Sequence, residues 1–121
     1  MYSHQLEEMG KKYVRGFLGV FPLDKIPKHI GRPPKSLIIN TDTHYLKGKH
    51  WIAISYEQGG IIYAFDPFGF FYPTSLISQL HSNPYCKVIY NYTMYQKPWE
   101  YNCGQRCLAF LISRSPKYKH K

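Results

Sequence analysis

The segment that most constrains the fold is residues 50–66, HWIAISYEQGGIIYAFD. Two apolar runs, rich in β-branched and aromatic residues, flank the sequence EQGG, which is typical of a β-hairpin. A turn centred on Gln58, with one of the following glycines at the positive-φ position, makes His50 and Asp66 direct cross-strand neighbours. Their Cβ atoms would then lie about 5 Å apart on one face of the hairpin.

The pair formed by His50 and Asp66 has two interpretations. A carboxylate can hold an imidazole through one ring nitrogen and leave the other nitrogen for a nucleophile, as in general-base catalysis. Alternatively, His50 is a surface residue beside a strand end, and Asp66 caps the turn DPFG, as aspartate often does. The residues alone leave both interpretations open.

The whole pattern predicts a single domain, 1–121, of the α+β class, with a mainly antiparallel sheet packed against a buried C-terminal helix. The predicted helices are 3–14, 74–81 (capped by Thr74) and 103–113, and the predicted strands are 36–40, 50–56, 61–66 and 86–92. Between them we expect an irregular Gly- and Pro-rich segment, 15–35, a polar loop, 41–49, and a flexible basic tail, 114–121.

Composition limits the class of protein. The net charge of +9, from 16 Lys and Arg against 7 Asp and Glu, favours polyanions such as nucleic acid, although scattered lysines also make an ordinary solvated surface. No apolar run approaches the roughly 20 residues of a membrane span, and the N-terminus lacks the apolar core of a signal peptide. We therefore expect an intracellular protein that is not secreted.

The stretch YNCGQRCLAFLI, 101–112, places two cysteines four residues apart at the start of an apolar helix. With Asn102 as N-cap, Cys103 occupies the first turn, where the helix dipole favours a thiolate. Gly104 lets another backbone or a substrate approach. Cys107, one turn deeper, is expected to pack in the core, and a small buried hydrophobe is the alternative for Cys103 as well.

The three cysteines could also serve a disulfide or a metal. Residues four apart on a helix place their Cβ atoms outside ordinary bridge geometry, which disfavours a bond between Cys103 and Cys107. An odd number does not make a secreted disulfide framework. Adding Cys86 gives no zinc-finger spacing, so we expect no metal site.

Five short motifs follow one another along the chain: FLGV (17–20), IINTD (38–42), GKHWIAI (48–54), FDPFGF (65–70), and Gln96 followed after six residues by CGQRC (103–107). In this order and spacing the chain resembles, over residues 17–113, the adenovirus-type cysteine endopeptidases. These are the adenains and their relatives in Maverick/Polinton elements and adintoviruses. The resemblance implies a papain-like fold in the Ulp1-type arrangement.

The same resemblance assigns the site. On the family pattern Cys103 is the nucleophile, His50 is the general base and Asp66 orients it. Gln96 would supply the side-chain amide of the oxyanion hole, together with the backbone N–H of Cys103. Trp51 follows the base and would cover it from water, with core packing as the alternative. Adenoviral enzymes usually carry Glu at the orienting position, while many mobile-element relatives carry Asp.

The resemblance also suggests cofactors, although the sequence itself requires none. Cys86 lies close to the position of the cysteine that bonds the activating viral peptide in the adenoviral enzyme, and a buried strand cysteine is the alternative. Adenoviral relatives use DNA as a cofactor, which the basic surface would permit. The chain ends soon after the nucleophile helix, so we expect either a minimal or a truncated version of the fold.

The activity implied by the resemblance is a monomeric thiol endopeptidase that matures viral or mobile-element structural precursors. It would cleave after small residues, typically Gly, in the host nucleus or cytoplasm and in the virion. One alternative is an isopeptidase that removes SUMO or ubiquitin-like tags, which also end in Gly-Gly. Another is a basic nucleic-acid-binding protein with an inactive protease fold, which the intact set of His50, Asp66, Gln96 and Cys103 argues against.

Overall fold

The computed structural model describes residues 3–41, 50–69, 72–91 and 103–115. Its elements, in chain order, are α1 (Ser3–Tyr13), β1 (Phe17–Pro22), a short 3₁₀ helix (Leu23–Lys25), β2 (Lys35–Thr41), β3 (His50–Glu57), β4 (Ile61–Phe65), α2 (Thr74–Leu80), β5 (Lys87–Tyr90) and α3 (Cys103–Arg114). The predicted α+β class is confirmed. The predictions for the polar loop after residue 41, for Gln96, for Asn102 and for the tail beyond residue 115 lie outside the described residues.

The five strands form one sheet in the order β1-β2-β3-β4-β5. The central pairs, β2-β3 and β3-β4, are antiparallel, whereas β1 pairs with β2 and β5 pairs with β4 in parallel. The sheet is therefore mixed. It is antiparallel in its centre, as the hairpin predicts, and parallel at both edges.

Strand β1 lies within the segment that the sequence predicts to be irregular, so that prediction is wrong. Gly19 adopts a φ of +145°, and the register with β2 shifts between Phe17 and Val20. The carboxylate of Glu7, on α1, accepts a hydrogen bond from the backbone N–H of Val20 at 3.0 Å. A bulged edge strand that contains glycine and ends in proline lacks the alternation by which strands are recognised.

The β3–β4 hairpin has a different register from the predicted one. Glu57 pairs with Ile61, so the three-residue loop between them is centred on Gly59 rather than on Gln58. Both Gly59 (φ +85°) and Gly60 (φ +72°) have positive φ. Because glycine adopts such values at little cost, the loop shifts by one residue to include both glycines.

Apolar side chains pack on both faces of the sheet. On one face, α1 and α3 cover a cluster formed by Leu6, Val14, Phe17, Ile38, Trp51, Ala53, Phe65, Phe68, Cys107, Leu108 and Leu111. On the other face, α2 covers a cluster formed by Ile26, Leu37, Ile39, Ile52, Ile54, Ile62, Ala64, Leu76 and Leu80. The sheet is thus the middle layer of the described fold.

Two helix predictions need correction. The sequence predicts a buried C-terminal helix, but α3 buries only one face and exposes Ala109 and Ile112. Helix α2 begins at Thr74 with Pro73 in the cap position and no side-chain cap, so Thr74 is the first helical residue rather than the N-cap. Within the described ranges, every helix is too short or too polar to cross a membrane.

The packing of α1 against β1 gives the first prediction. A Cβ atom on Gly10 would lie 2.4 Å from Cε2 of Phe17, a ring that is only 8% exposed. Alanine gains about 1 kcal/mol of helix propensity over glycine, but overpacking costs about 1–3 kcal/mol. We therefore expect Gly10→Ala to lower the free energy of unfolding in urea, by up to about 2 kcal/mol.

The control is Glu8→Ala at an exposed position of the same helix, where propensity acts alone and no loss of stability is expected. A Gly10→Ala protein at least as stable as the original would contradict the close contact.

Candidate active site

His50 is the first residue of β3, and its side chain is fully buried. It pairs with Thr41 of β2, whose hydroxyl donates a hydrogen bond to the carbonyl oxygen of His50 at 3.2 Å. By alternation His50 shares the sheet face of Ile52. Its ring nevertheless lies against Phe68, with the ring centroids 5.0 Å apart, and Phe68 belongs to the cluster under α3. The imidazole therefore reaches the α3 side at the end of the sheet.

Asp66 directly follows β4 and is also fully buried. Its Oδ1 accepts a hydrogen bond from the N–H of Phe68 at 2.9 Å, and its carbonyl oxygen accepts one from the N–H of Gly69 at 2.8 Å. Gly69 has a φ of +85°, which glycine permits at the end of this tight turn. Asp66 thus caps the turn DPFG, as one of the two interpretations expects.

The two side chains meet despite the altered register. Nε2 of His50 lies 3.0 Å from Oδ1 of Asp66. The observed register makes them diagonal rather than direct cross-strand neighbours, and the aspartate reaches the ring from the turn beyond the end of β4. The same oxygen contacts the imidazole and caps the turn. The alternative interpretation is therefore right about Asp66 as a turn cap and wrong about His50, which is buried rather than on the surface.

Helix α3 runs along β3 in the same direction as the strand. Near its start, the thiol of Cys107 donates a hydrogen bond to the carbonyl oxygen of Trp51 at 3.2 Å. At its end, Arg114 holds the Glu57 carboxylate with two hydrogen bonds, of 2.8 and 2.6 Å, and this interaction raises the pKa of Arg114. The first turn of α3 therefore lies towards the end of the sheet where β3 begins.

Cys103 is the first residue of α3, as predicted. The direction of the helix brings this residue to the end of the sheet that carries His50. The thiol of Cys103, like the whole of Gln96, lies outside the described part of the chain. The structure thus joins His50 with Asp66 directly and relates Cys103 to them through the backbone of α3.

The other residues that the sequence associates with the site make packing contacts. Cys107 is fully buried in the α3-side cluster, as expected. Trp51 is 4% exposed and belongs to the same cluster, which fits the core-packing alternative. A Cβ atom on Gly104 would lie 2.9 Å from Cδ1 of Leu6, so the close approach that this glycine permits is made by a side chain of α1 rather than by a backbone or a substrate.

Cys86 lies away from this site. It precedes β5, whose first residue pairs with Ile61 at the start of β4, whereas Asp66 follows the end of β4. A five-residue strand is about 17 Å long. Cys86 is partly exposed and lines a cavity of about 930 Å³ beside α2. Tyr56 lines the same cavity, and burial raises its pKa to about 12.

Sequence reasoning missed the groups that hold the backbone of Asp66. Its N–H donates to the hydroxyl of Tyr72 at 3.1 Å and to Oδ1 of Asn91 at 2.7 Å. Asn91 follows β5 and meets Asp66 through the parallel pairing of β5 with β4, which no local pattern reveals. Tyr72 lies only six residues after Asp66, but no motif in the intervening sequence marks its hydroxyl as a partner. Within the described ranges, no three His, Cys, Asp or Glu residues are grouped so that they could hold a metal ion.

Comparisons with known proteins were made for the sequence and for the fold. The model of the adenovirus endoprotease family matches residues 17–121, and a search of curated protein sequences finds no match. The crystal structure of the ASFV pS273R protease has a TM-score of 0.60 at 19% identity, over 93% of this chain and 54% of that one. The central domain of the uncharacterized Lpg1148 protein from Legionella pneumophila has a TM-score of 0.46 at 14% identity, over 94% of this chain and 75% of that one.

The likeness to the ASFV protease shows a shared fold, and this chain spans about half the length of that protein. The family model, in contrast, covers most of this chain and includes the positions of all five motifs. The resemblance seen in the sequence is therefore confirmed: the chain belongs to the adenovirus endoprotease family, a family of cysteine endopeptidases.

Proposed function

We propose that this protein is a cysteine endopeptidase in which Cys103 attacks a peptide carbonyl, His50 moves the proton and Asp66 holds the base. The observation that carries the proposal is the fully buried contact of 3.0 Å between Nε2 of His50 and Oδ1 of Asp66. It lies at the end of the sheet where α3, which begins with Cys103, also starts. Family membership supports the role of the nucleophile.

The geometry of the imidazole supports a different role for each ring nitrogen. Because Nε2 faces the carboxylate, Nδ1 is the nitrogen that would take the thiol proton of Cys103. A carboxylate beside the ring favours the protonated imidazole, and the first turn of a helix favours the thiolate. Together these effects stabilise the thiolate–imidazolium pair that is needed for attack.

The reaction then follows in two halves. The thiolate of Cys103 forms a bond to the scissile carbonyl carbon, and the backbone N–H of Cys103 and the side-chain amide of Gln96 stabilise the negative oxygen. The carbon–nitrogen bond breaks as His50 gives its proton to the departing amine. Water, deprotonated by the same imidazole, hydrolyses the thioester, which releases the new carboxyl end and restores the thiol.

The proposed substrates are structural precursor proteins of a virus or mobile element, cleaved after a small residue such as Gly. Membership in the adenovirus endoprotease family supports this choice. We further propose that the enzyme acts as a monomer, in the host nucleus or cytoplasm and in the virion. An isopeptidase acting on SUMO or ubiquitin-like tags would use the same residues, so substrates of both kinds belong in one assay.

Two cofactors are proposed with the activity. DNA would bind the surface of a protein with a net charge of +9 through counterion release. An activating peptide would form a disulfide with Cys86, whose thiol is partly exposed beside a cavity. Because Cys86 and Asp66 lie at opposite ends of β4, such a peptide would have to act on the site from a distance.

The nucleophile is tested by Cys103→Ala, with Cys107→Ala as the matched control on the same helix. We expect the first variant to lose cleavage of Gly-Gly-containing precursor peptides and of tagged proteins, because no thiolate remains to form the acyl-enzyme. Cys107→Ala should retain the turnover of the original chain per folded molecule, with the folded fraction measured by circular dichroism. Undiminished turnover by Cys103→Ala would overturn the proposal, and an inactive original chain would favour the nucleic-acid-binding alternative.

The orienting carboxylate is tested by Asp66→Asn. The amide oxygen can still accept the N–H of Phe68, so the turn is kept while the charge is lost. We expect kcat/KM to fall by at least about tenfold and its high-pH limb to move to lower pH, because the carboxylate favours the protonated imidazole. Asp24→Asn, at an exposed position, is the control; identical rates and pH profiles for both variants would count against the role of Asp66.

The DNA cofactor is tested by the cleavage rate at low salt with and without duplex DNA. We expect DNA to raise the rate and the effect to disappear as salt increases, since the binding depends on released counterions. A polyanion without bases, such as heparin, separates charge from nucleic acid. Equal rates with and without DNA at low salt would remove this cofactor from the proposal.

A further inference from the structure

The main chain of Asp66 is held by the side chain of Asn91, the residue that directly follows β5. The carboxamide of Asn91 accepts a hydrogen bond from the N–H of Asp66 at 2.7 Å and donates one to its carbonyl oxygen, also at 2.7 Å. One side chain therefore satisfies both backbone polar groups of the residue whose carboxylate faces His50. Asn91 is half-buried and lies 25 residues from Asp66 in sequence.

The position of Asn91 explains this contact. Strand β5 ends at Tyr90, which pairs with Ala64 in the parallel ladder, and the N–H of Asn91 donates to the carbonyl oxygen of Ala64 at 3.2 Å. Beyond this point the ladder stops. The carboxamide then takes the place of the next peptide unit and extends the pairing to Asp66, just past the end of β4.

The hydroxyl of Tyr72 completes the arrangement. It accepts the N–H of Asp66 at 3.1 Å, and it lies 3.2 Å from the carbonyl oxygen of Ala64 and 3.1 Å from that of Asn91. It also contacts Oδ1 of Asn91. A hydroxyl has one proton and two acceptor sites, so Tyr72 can donate to one of these oxygens while it accepts the N–H of Asp66. Its ring packs edge-on against Tyr90, with centroids 4.8 Å apart.

We infer that Asn91, supported by Tyr72, is a positioning residue that fixes the backbone of Asp66 so that its carboxylate meets the imidazole of His50. The catalytic consequence of this inference rests on the proposed function. The carboxylate reaches the ring from a turn beyond the strand, where the β-ladder no longer restrains the chain. A misplacement of about 1 Å can reduce a rate by about 10², so the anchor has a measurable effect on the chemistry.

The direct test follows the protonation of His50 by NMR, with the His50 signals assigned from the spectrum of His50→Gln. The groups around the His50 ring are Asp66 and Phe68 from the turn, and Thr41 from the paired strand β2. Helix α3, which begins with Cys103, lies on the same side of the sheet. Removing the Asn91 carboxamide in Asn91→Ala should weaken the contact between the Asp66 carboxylate and the ring, and so lower the titration midpoint of the His50 ring. This measurement needs no substrate.

The control is Asn83→Ala, at a residue that precedes the other end of β5. There the side-chain Oδ1 of Asn83 accepts a hydrogen bond from the backbone N–H of Tyr85, and the variant loses that bond. Its His50 midpoint should equal that of the original chain. Tyr72→Phe keeps the ring and removes only the hydroxyl, and it should lower the midpoint in the same direction by a smaller amount. If Asn91→Ala does not fold, Tyr72→Phe carries the test.

A double-mutant cycle connects the anchor with activity. We expect Asn91→Ala to reduce kcat/KM by about tenfold to hundredfold, the range seen for outer-shell partners of metal-bound histidine. In an Asp66→Asn background the same substitution should cost little, because the charge that it positions is already gone. A loss due only to poorer folding would be equal in both backgrounds.

The outcomes separate the two hypotheses. An unchanged His50 midpoint in folded Asn91→Ala and Tyr72→Phe proteins, or equal losses of activity in both backgrounds, would overturn the inference. A lowered midpoint in a chain whose original form cleaves no substrate would support the positioning role of Asn91 while the proposed function fails.

Discussion

The chemistry proposed for this protein depends on one buried contact, that between the imidazole of His50 and the carboxylate of Asp66. Taking two such groups out of water costs free energy that only pairing and hydrogen bonds offset. The N–H of Phe68 donates a hydrogen bond to the same carboxylate oxygen that faces the ring. Removing one partner of a buried pair typically costs about 3–5 kcal/mol. The loss of either side chain would therefore destabilise the fold, because it leaves the other group buried without its partner.

The proposed site lies where several elements end or begin. Strand β3 starts with His50, β4 stops just before Asp66, and α3 starts with Cys103. The direction of α3 is fixed at two points, at Trp51 by the thiol of Cys107 and at the far end of β3 by an ion pair. Residues at the ends of regular elements make fewer ladder and helix hydrogen bonds than residues inside them, so their positions need additional anchors. The turn hydrogen bonds and the side chains around Asp66 provide such anchors here.

Local chemistry decided how much could be predicted from the sequence. The hairpin and the helix that begins at Cys103 follow from apolar periodicity and from glycines in a turn, and both were found. The register was wrong because two adjacent glycines both enter the loop, which apolar alternation does not reveal. Strand β1 and the clamp from Asn91 depend on parallel pairing between distant segments. Such pairing leaves no local signal in the sequence. The contact of Asn91 with Asp66 could therefore not be predicted, although the contact of Asp66 with His50 could.

Aspartate suits position 66 because its Oδ1 makes two interactions, one with the imidazole of His50 and one with the N–H of Phe68. Oδ1 accepts the N–H two residues ahead, which requires the short side chain of aspartate. A glutamate at this position would have one more methylene, which would lift the carboxylate off that N–H. A glutamate could meet the same imidazole only if the backbone receded by roughly the length of one bond. The turn, the hydrogen bonds from Asn91 to the backbone of Asp66 and the short side chain therefore act together. They bring the main chain close to His50 and hold it there.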